Sequence, residues 1–435
     1  MSFSFSFSGE DIEDDGEIQE QDALAKGMSV HTISDGEPTS SVPVLLPKRH
    51  SLEELLASLP SQISYNSLSV SPQSSSREDS SFDSSKGGIS TDNTAIKIYR
   101  RSLFDMRAQL MAEANPSASE SDSADTLLAG LENGDLSSGI YEGGFKTWEC
   151  ALDLASLLTG PLSRLPIDQH GMQDWEIIEL GAGSAIPSLT ILGEFLRRRQ
   201  TSGDSQNHGH LKLTLCDYNV DVLRLATAPN VLLNYLFALG NASLPSSSTS
   251  TSSSSSSSSL SHHANEDEGD VDLEGLGGDA LVRGTVKDLL AHKVSVDFIS
   301  GGWGSEFVDL INSHPHSSSA TSSSPPPPPP PPPIRPANLL ILASETIYSP
   351  ASIKTFSQTL ISLLRTHRQR NGPKSSPETS TAKAWLAAKK VYFGVGGGVD
   401  EFAREVELLG GRSQVIFERK DTGIGRVVLE VTVEE

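Results

Sequence analysis

Residues Trp175 to Leu180, WEIIEL, form a short apolar run rich in β-branched side chains that stops at Gly181-Ala182-Gly183, the pattern of a strand ending in a tight turn. Gly181 and Gly183 let the backbone turn sharply and approach a ligand closely, and the helix expected from Ser184 to Arg199 presents free N–H groups at its start. A nucleotide-like ligand is the natural occupant. A dinucleotide fingerprint needs a third glycine where this chain has Ile186, which disfavours NAD and leaves S-adenosylmethionine. The turn also reads as a bare strand-to-helix corner, since glycine serves tight turns generally.

Further candidates end the later strands. Asp217 closes LKLTLCD at an interval suited to accepting hydrogen bonds from both ribose hydroxyls of a nucleoside, or it caps the helix that follows. Trp303, after Gly301-Gly302, offers a flat face to an adenine or packs in the core. Ser344-Glu345-Thr346-Ile347-Tyr348-Ser349-Pro350 follows the apolar LLILA and puts an acid, a phenol and hydroxyls where a transferable methyl should point, or forms a capped loop into the next helix. Phe393-Gly394-Val395-Gly396-Gly397-Gly398 makes a lip poor in side chains, either for a passing substrate peptide or to turn the chain.

The elements that position these residues alternate in type. A helix is expected within GGFKTWECALDLASLL, with Leu152, Ala155 and Leu158 on one side. Strands are expected at 175–180, 211–217, 294–300 and 339–344, a fifth at Lys389 to Phe393, and a final pair at Val415 to Glu418 and Arg426 to Val433. Helices are expected at 184–199, at 220–239 with Pro229 as a break or kink, at 351–370 and at 400–409. The fold class is α/β: a Rossmann-like, seven-stranded, mostly parallel sheet with helices on both faces and ligands beyond the carboxyl ends of its strands.

Composition limits what surrounds this sheet. Of 435 residues only 36% are hydrophobic, too few for a core of that size, so one catalytic domain with disordered additions is expected. Residues 1–92 read as mostly disordered, acidic and Ser-rich, with a brief helix at Leu52 to Leu59, and residues 93–140 as an N-terminal arm of helical spacing and a linker. Residues 141–435 read as the catalytic domain, carrying low-complexity insertions near 241–280 and 313–336. The second insertion holds nine consecutive prolines, Pro325 to Pro333, read as a spacer in preference to a docking ligand.

The formal charge of −23 argues against direct nucleic-acid binding and suits a basic protein partner, although part of it lies in the segments expected to be disordered. With two cysteines, Cys150 and Cys216, and no Cys/His cluster at ligand spacing, neither a disulfide framework nor a metal site is expected, and a reducing compartment fits. The N-terminus lacks the charged and apolar regions of a signal peptide, and no apolar run approaches membrane-spanning length.

Six motifs together resemble the histidine protein methyltransferase family of seven-β-strand enzymes: KTWECALDL, IELGAGS, CDYN with APNV downstream, SGGWGSEF, SETIYSP and YFGVGGGVDEF. They span roughly Phe145 to the C-terminus, minus the insertions. The first, second and fourth occur in looser form among lysine methyltransferases, whereas DYN with PNV, and above all FGVGGGV, look specific to the histidine enzymes. The SFSFSFS start is also similar. Departures are the insertions, Ala182 and Ala185 in a turn that often reads GCGSG, and GGW where SGEW is expected.

The resemblance implies S-adenosylmethionine as cofactor and methylation of an imidazole nitrogen in large-subunit ribosomal protein three, by a monomer in the cytoplasm or nucleus. By it, Trp148, Gly181, Asp217, Tyr218, Trp303 and Ser344 correspond to cofactor contacts, and their neighbours Lys146, Thr147, Glu149, Gly183 and Gly302 complete the expected set. Glu345, Tyr348 and Asn219 are the candidates to hold the non-reacting imidazole nitrogen. A lysine methyltransferase on the same fold and a non-catalytic ribosome-assembly binder are the competing readings.

Overall fold

A computed structural model of the chain describes residues 45–72, 95–113, 144–159, 173–201, 209–239, 267–313, 337–370, 381–392, 397–420 and 423–434. The N-terminal elements are β1 (Lys48–His50), α1 (Leu52–Leu56), β2 (Gln62–Val70), β3 (Ile96–Arg101) and α2 (Leu103–Glu113). Next come α3 (Glu149–Thr159), β4 (Trp175–Leu180), α4 (Ile186–Thr201), β5 (Leu211–Asp217), α5 (Val220–Val222), a π-helical turn (Leu223–Thr227) and α6 (Ala228–Ala238). The remainder is β6 (Glu268–Asp272), α7 (Asp279–Ala291), β7 (Val294–Ser300), α8 (Ser305–Asn312), β8 (Asn338–Ser344), α9 (Pro350–Arg370), β9 (Ala382–Lys389), α10 (Val399–Leu408), β10 (Gly411–Arg419) and β11 (Arg426–Val433).

Parallel strands buried on both faces need continuous apolar runs, and β4 and β8 supply them. Ile177, Leu340 and Leu342 point into one core cluster with α3, α4 and α6. Their neighbours Ile178, Leu180, Leu339, Ile341 and Ala343 point into the opposite cluster with α8, α9 and α10. The main sheet has the order β1-β7-β5-β4-β8-β9-β11-β10. The pairs from β7 to β9 are parallel, and β11 runs antiparallel to both its neighbours.

Several expectations need correction. The sheet has eight strands where seven were expected, because β1 adds antiparallel to the edge of β7; omitting β1 leaves seven. Residues 45–72, read as mostly disordered apart from a brief helix, are folded: Leu52, Leu55 and Leu56 of α1 and Ile63 of β2 are buried in the domain core. Ile96–Arg101, read at helical spacing, is a strand of a second, three-stranded sheet of order β3-β2-β6. Its third member comes from the acidic end of the first insertion, where Val271 alone of β6 is buried, so that insertion is folded from residue 267.

The fifth strand also lies earlier than expected, at Ala382–Lys389. The chain bends at Lys390, and the apolar Val391 that suggested a strand there is exposed. Pro229 produces no break. It has no N–H to offer the preceding turn; the π-helical residues precede it, and Arg101 Nη1 donates to the Leu225 carbonyl at 3.3 Å. The proline tract, residues 1–44 and Phe393 to Gly396 of the glycine lip lie outside the described residues. Among the described residues no helix is long and apolar enough to cross a membrane, and both cysteines are free and buried.

Candidate active site

The sheet register brings the candidate residues to one level. Leu180 is paired with Cys216 and Ala343, Asp217 with Ser300, and Ser344 with Ala387, so each following residue emerges at the same carboxyl-terminal edge. Gly181 (φ +68°) and Gly183 (φ +50°) take the left-handed conformation there. A Cβ on Gly181 would meet Thr346 Cγ2 at 2.9 Å, so a side chain is excluded by space as well as by backbone.

The turn is clamped from several sides. Gly183 N–H donates to Asp217 Oδ2 at 3.0 Å, and the Thr227 hydroxyl of the π-helical turn donates to the Gly183 carbonyl at 2.6 Å. Thr147 donates to the Ser184 hydroxyl at 3.0 Å, and Asn230 Nδ2 donates to the Ser184 carbonyl at 3.0 Å. Asp217 therefore ties the turn to β5, and its Oδ1 also accepts the Asn219 N–H at 3.2 Å.

Buried polar atoms near the turn without a partner among the described residues include Glu179 Oε1, Ser188 Oγ, Asn219 Nδ2 and Thr346 Oγ1. Glu179 is fully buried, its Oε2 accepting Ser188 N–H at 3.0 Å, and burial pushes its carboxyl up to about 7. A cationic group beside it would reverse that shift.

The expected cofactor residues divide by position. Trp303 is half-buried with its ring edge to Phe356 at 4.8 Å, beyond β7. The Gly302 N–H is spent on the Leu45 carbonyl at 2.8 Å. Trp148, before α3, lies 5.6 Å under the Lys389 ammonium on the β9 side. Glu149 is engaged elsewhere: its Oε2 pairs with Arg426 Nη1 at 3.1 Å, beside the Arg426–Asp153 pair at 2.6 Å. Lys146, Tyr218 and Ser344 are half-buried around the same edge.

Glu345, the first residue after β8, has φ +55°, a conformation that costs a residue with a side chain about 1–3 kcal/mol and persists only when its surroundings impose it. Its N–H donates to the Ala387 carbonyl at 3.0 Å. The Tyr392 hydroxyl donates to Oε2 at 2.6 Å, while Oε1 is buried without a partner among the described residues. Burial raises the Glu345 carboxyl above its ordinary value; Cys150, Tyr392 and the Lys389 charge oppose the rise and Glu149 adds to it. Tyr348 sets its ring edge against Tyr392 at 6.5 Å, and its carbonyl accepts Gly397 N–H at 3.1 Å. Asn219 is set apart from this cluster, two strands away across β4, about 10 Å by strand spacing.

No family model matches the chain. It is 27% identical over 414 residues to "Histidine protein methyltransferase 1" of Saccharomyces cerevisiae, covering 92% of this chain and 89% of that protein. The protein of the same name from Schizosaccharomyces pombe is 29% identical over 312 residues, 72% of this chain and 69% of that one. A homolog from Rattus norvegicus is 27% identical over 298 residues, 68% and 59% of the two chains. The chain is a relative of the histidine protein methyltransferases and, with them, a methyl-transferring enzyme. A solved structure titled "Crystal Structure of EvdMO1" overlaps 74% of this chain and 50% of that one, at 12% identity and a TM-score of 0.27.

In this histidine protein methyltransferase relative, sequence reasoning missed Tyr392, Cys150, Lys389, Thr227 and Asn230 as parts of the site. Tyr392 and Cys150 sit inside motifs that carry the resemblance, and Asn230 is the Asn of APNV, so their signal was present without a role attached. Gly397 had two readings, and one contact bears on them: a Cβ there would meet the Tyr348 carbonyl oxygen at 2.3 Å, so the backbone at Gly397 packs directly on the loop that follows β8.

Proposed function

We propose that the chain is an S-adenosylmethionine-dependent protein-histidine N-methyltransferase. In this reading its substrate is a basic protein, large-subunit ribosomal protein three, and it acts as a monomer in the cytoplasm and nucleus. One observation carries the reading: Glu345 is forced into a left-handed backbone at the end of β8, with one carboxyl oxygen held by Tyr392 and the other buried without a hydrogen-bond partner among the described residues.

The residues present fit the cofactor. The left-handed turn at Gly181 and Gly183 strains any residue with a side chain, Asp217 stands beside that turn at the end of β5, and Trp303 offers an aromatic face beyond β7. Glu179 Oε1 suits an ammonium, and Asn219 Nδ2 suits a ribose or carboxylate oxygen. When bound, S-adenosylmethionine supplies an electrophilic methyl group on a sulfonium.

This chain's residues orient the acceptor and exclude water. An imidazole with a pKa near 6.5 already offers a neutral nitrogen at cell pH, whereas a lysine near 10.4 must first lose a proton. The remaining task is choosing the tautomer. Glu345 Oε1 accepts the N–H of the non-reacting nitrogen, which aims the other nitrogen's lone pair at the methyl and stabilises the positive charge that develops on the ring. Tyr348 sets its ring edge against Tyr392, the donor to that carboxyl.

Incubating the protein with methyl-labelled cofactor and ribosomal extract, then hydrolysing the labelled band, tests the reading. Labelled methylhistidine supports it; methyllysine points to the lysine enzyme, and no label to a binder. Unchanged single-turnover methylation after alanine replaces Glu345 and Tyr348 would rule out both roles.

A further inference from the structure

We infer that Tyr392 is the positioning residue that holds Glu345 in its working orientation, leaving Oε1 as the oxygen that takes the acceptor imidazole. This rests on the histidine reading of the site and names the group that makes it work. The Tyr392 hydroxyl has one hydrogen, and it goes to Glu345 Oε2 at 2.6 Å. The Tyr392 phenol oxygen in turn accepts the Lys389 backbone N–H at 3.2 Å, so the phenol is fixed from both sides.

The ring is held as firmly as the hydroxyl. Tyr348 packs edge-on against it, and the Gly397 N–H bonds the Tyr348 carbonyl, so the two loops that carry Glu345 and Tyr392 brace each other. Burial drives the Tyr392 hydroxyl and the Cys150 thiol well above their ordinary values, so both stay protonated and can only donate toward the carboxyl. The groups facing Glu345 are Glu149 and Cys150 from α3 and Lys389 and Tyr392 from the end of β9. Of these, the Tyr392 hydroxyl makes the 2.6 Å hydrogen bond, and the Cys150 thiol, an intrinsically weak donor, also faces the carboxyl.

A donor bonded to a carboxylate favours its ionised form. Without the phenol the carboxyl rotates more freely and keeps its proton to higher pH, and a protonated Glu345 is a poorer acceptor for an imidazole N–H. The effect reaches the substrate only through Glu345.

Initial rates of Tyr392→Phe, Glu345→Gln and the double variant, measured on intact ribosomal protein three from pH 5 to 9 at saturating methyl donor, test this. The inference expects Tyr392→Phe to lower kcat roughly 10- to 100-fold with KM changed by less than about threefold. It also expects the acid limb of kcat to move up by about one pH unit and the double variant to lose no more than Glu345→Gln alone. The limb surviving in Glu345→Gln belongs to the substrate imidazole. Should Tyr392→Phe fail to fold, 3,5-difluorotyrosine at 392 strengthens the donor, and the limb should move down instead.

An unmoved limb, or an equal loss of kcat with Glu345 present or replaced, overturns the role of Tyr392. Unimpaired turnover in Glu345→Gln instead overturns the reading of Glu345 itself, so the two failures are distinguishable.

Discussion

Asn230 accepts the backbone N–H of Arg101 at 2.7 Å while its own amide donates to the Ser184 carbonyl, so one side chain joins the N-terminal strand β3 to the cofactor turn. Asn234, one helical turn on, does the same for β3 alone, accepting Tyr99 N–H at 3.0 Å and donating to the Tyr99 carbonyl at 2.5 Å. The outer edge of β3 is thereby satisfied by side chains instead of by another strand.

Replacing Asn230 by alanine orphans two buried backbone groups and should cost about 2–5 kcal/mol in denaturant unfolding. It should also weaken S-adenosylmethionine binding more than tenfold by calorimetry. Asn234→Ala should cost similar stability yet leave cofactor affinity within about threefold. Equal affinity losses in the two variants would show that β3 and the turn are not joined through Asn230.

Ala185 has φ +58° and is fully buried, in the position where related turns often carry glycine. Left-handed backbone costs an alanine about 1–2 kcal/mol, partly offset by the greater unfolded-state freedom of glycine. Ala185→Gly should therefore raise the denaturant midpoint by the equivalent of roughly 0.5–1 kcal/mol. A lowered midpoint would contradict the strain.

Glu179 gives a pH dependence whose sign follows from its burial. Its carboxyl titrates near 7 when folded against an ordinary 4.5, so the folded state holds the proton that the unfolded state has released. Stability from this group is full below about pH 4.5 and is lost as pH rises through 7. The gap corresponds to about 3 kcal/mol. Glu179→Gln should gain most of that at pH 8 and almost none at pH 4, read by unfolding of the cofactor-free protein at both values. A gain independent of pH would refute the assignment.

Much of this was legible in the residues. The strands that carry the crevice, β4, β5, β7 and β8, each hold at least one row of alternating apolar side chains and stop at Gly or at a polar residue, so their ends and their candidate side chains could be read directly. β6 could not: EGDVD buries one side chain and owes its strand state to β2, some 200 residues away in the chain. β9 hid because AKAWLAAK is alanine-rich, a weak strand signal beside the aromatic Val391-Tyr392-Phe393 that follows it. Glu345 was legible as a polar residue after an apolar strand, but its Tyr392 partner exists only once two loops meet.

Glu149 was expected at the cofactor, and its carboxylate is bound to Arg426, whose side chain is 8% exposed and also holds Asp153. Arg426→Ala should destabilise by about 1–3 kcal/mol, because Asp153 and Glu149 both lose a cation while Arg419 still pairs with Asp153 at 3.1 Å. Glu149→Gln should leave cofactor affinity within about threefold. A tenfold loss in equilibrium binding would instead place Glu149 against the cofactor.

The most direct test of the central claim is to locate the transferred methyl by mass spectrometry after the purified protein acts on purified ribosomal protein three. The account predicts one methyl on the imidazole of one histidine, and its loss or severe slowing in Glu345→Gln. A methyl on a lysine, or none with wild-type protein and intact substrate, would contradict it.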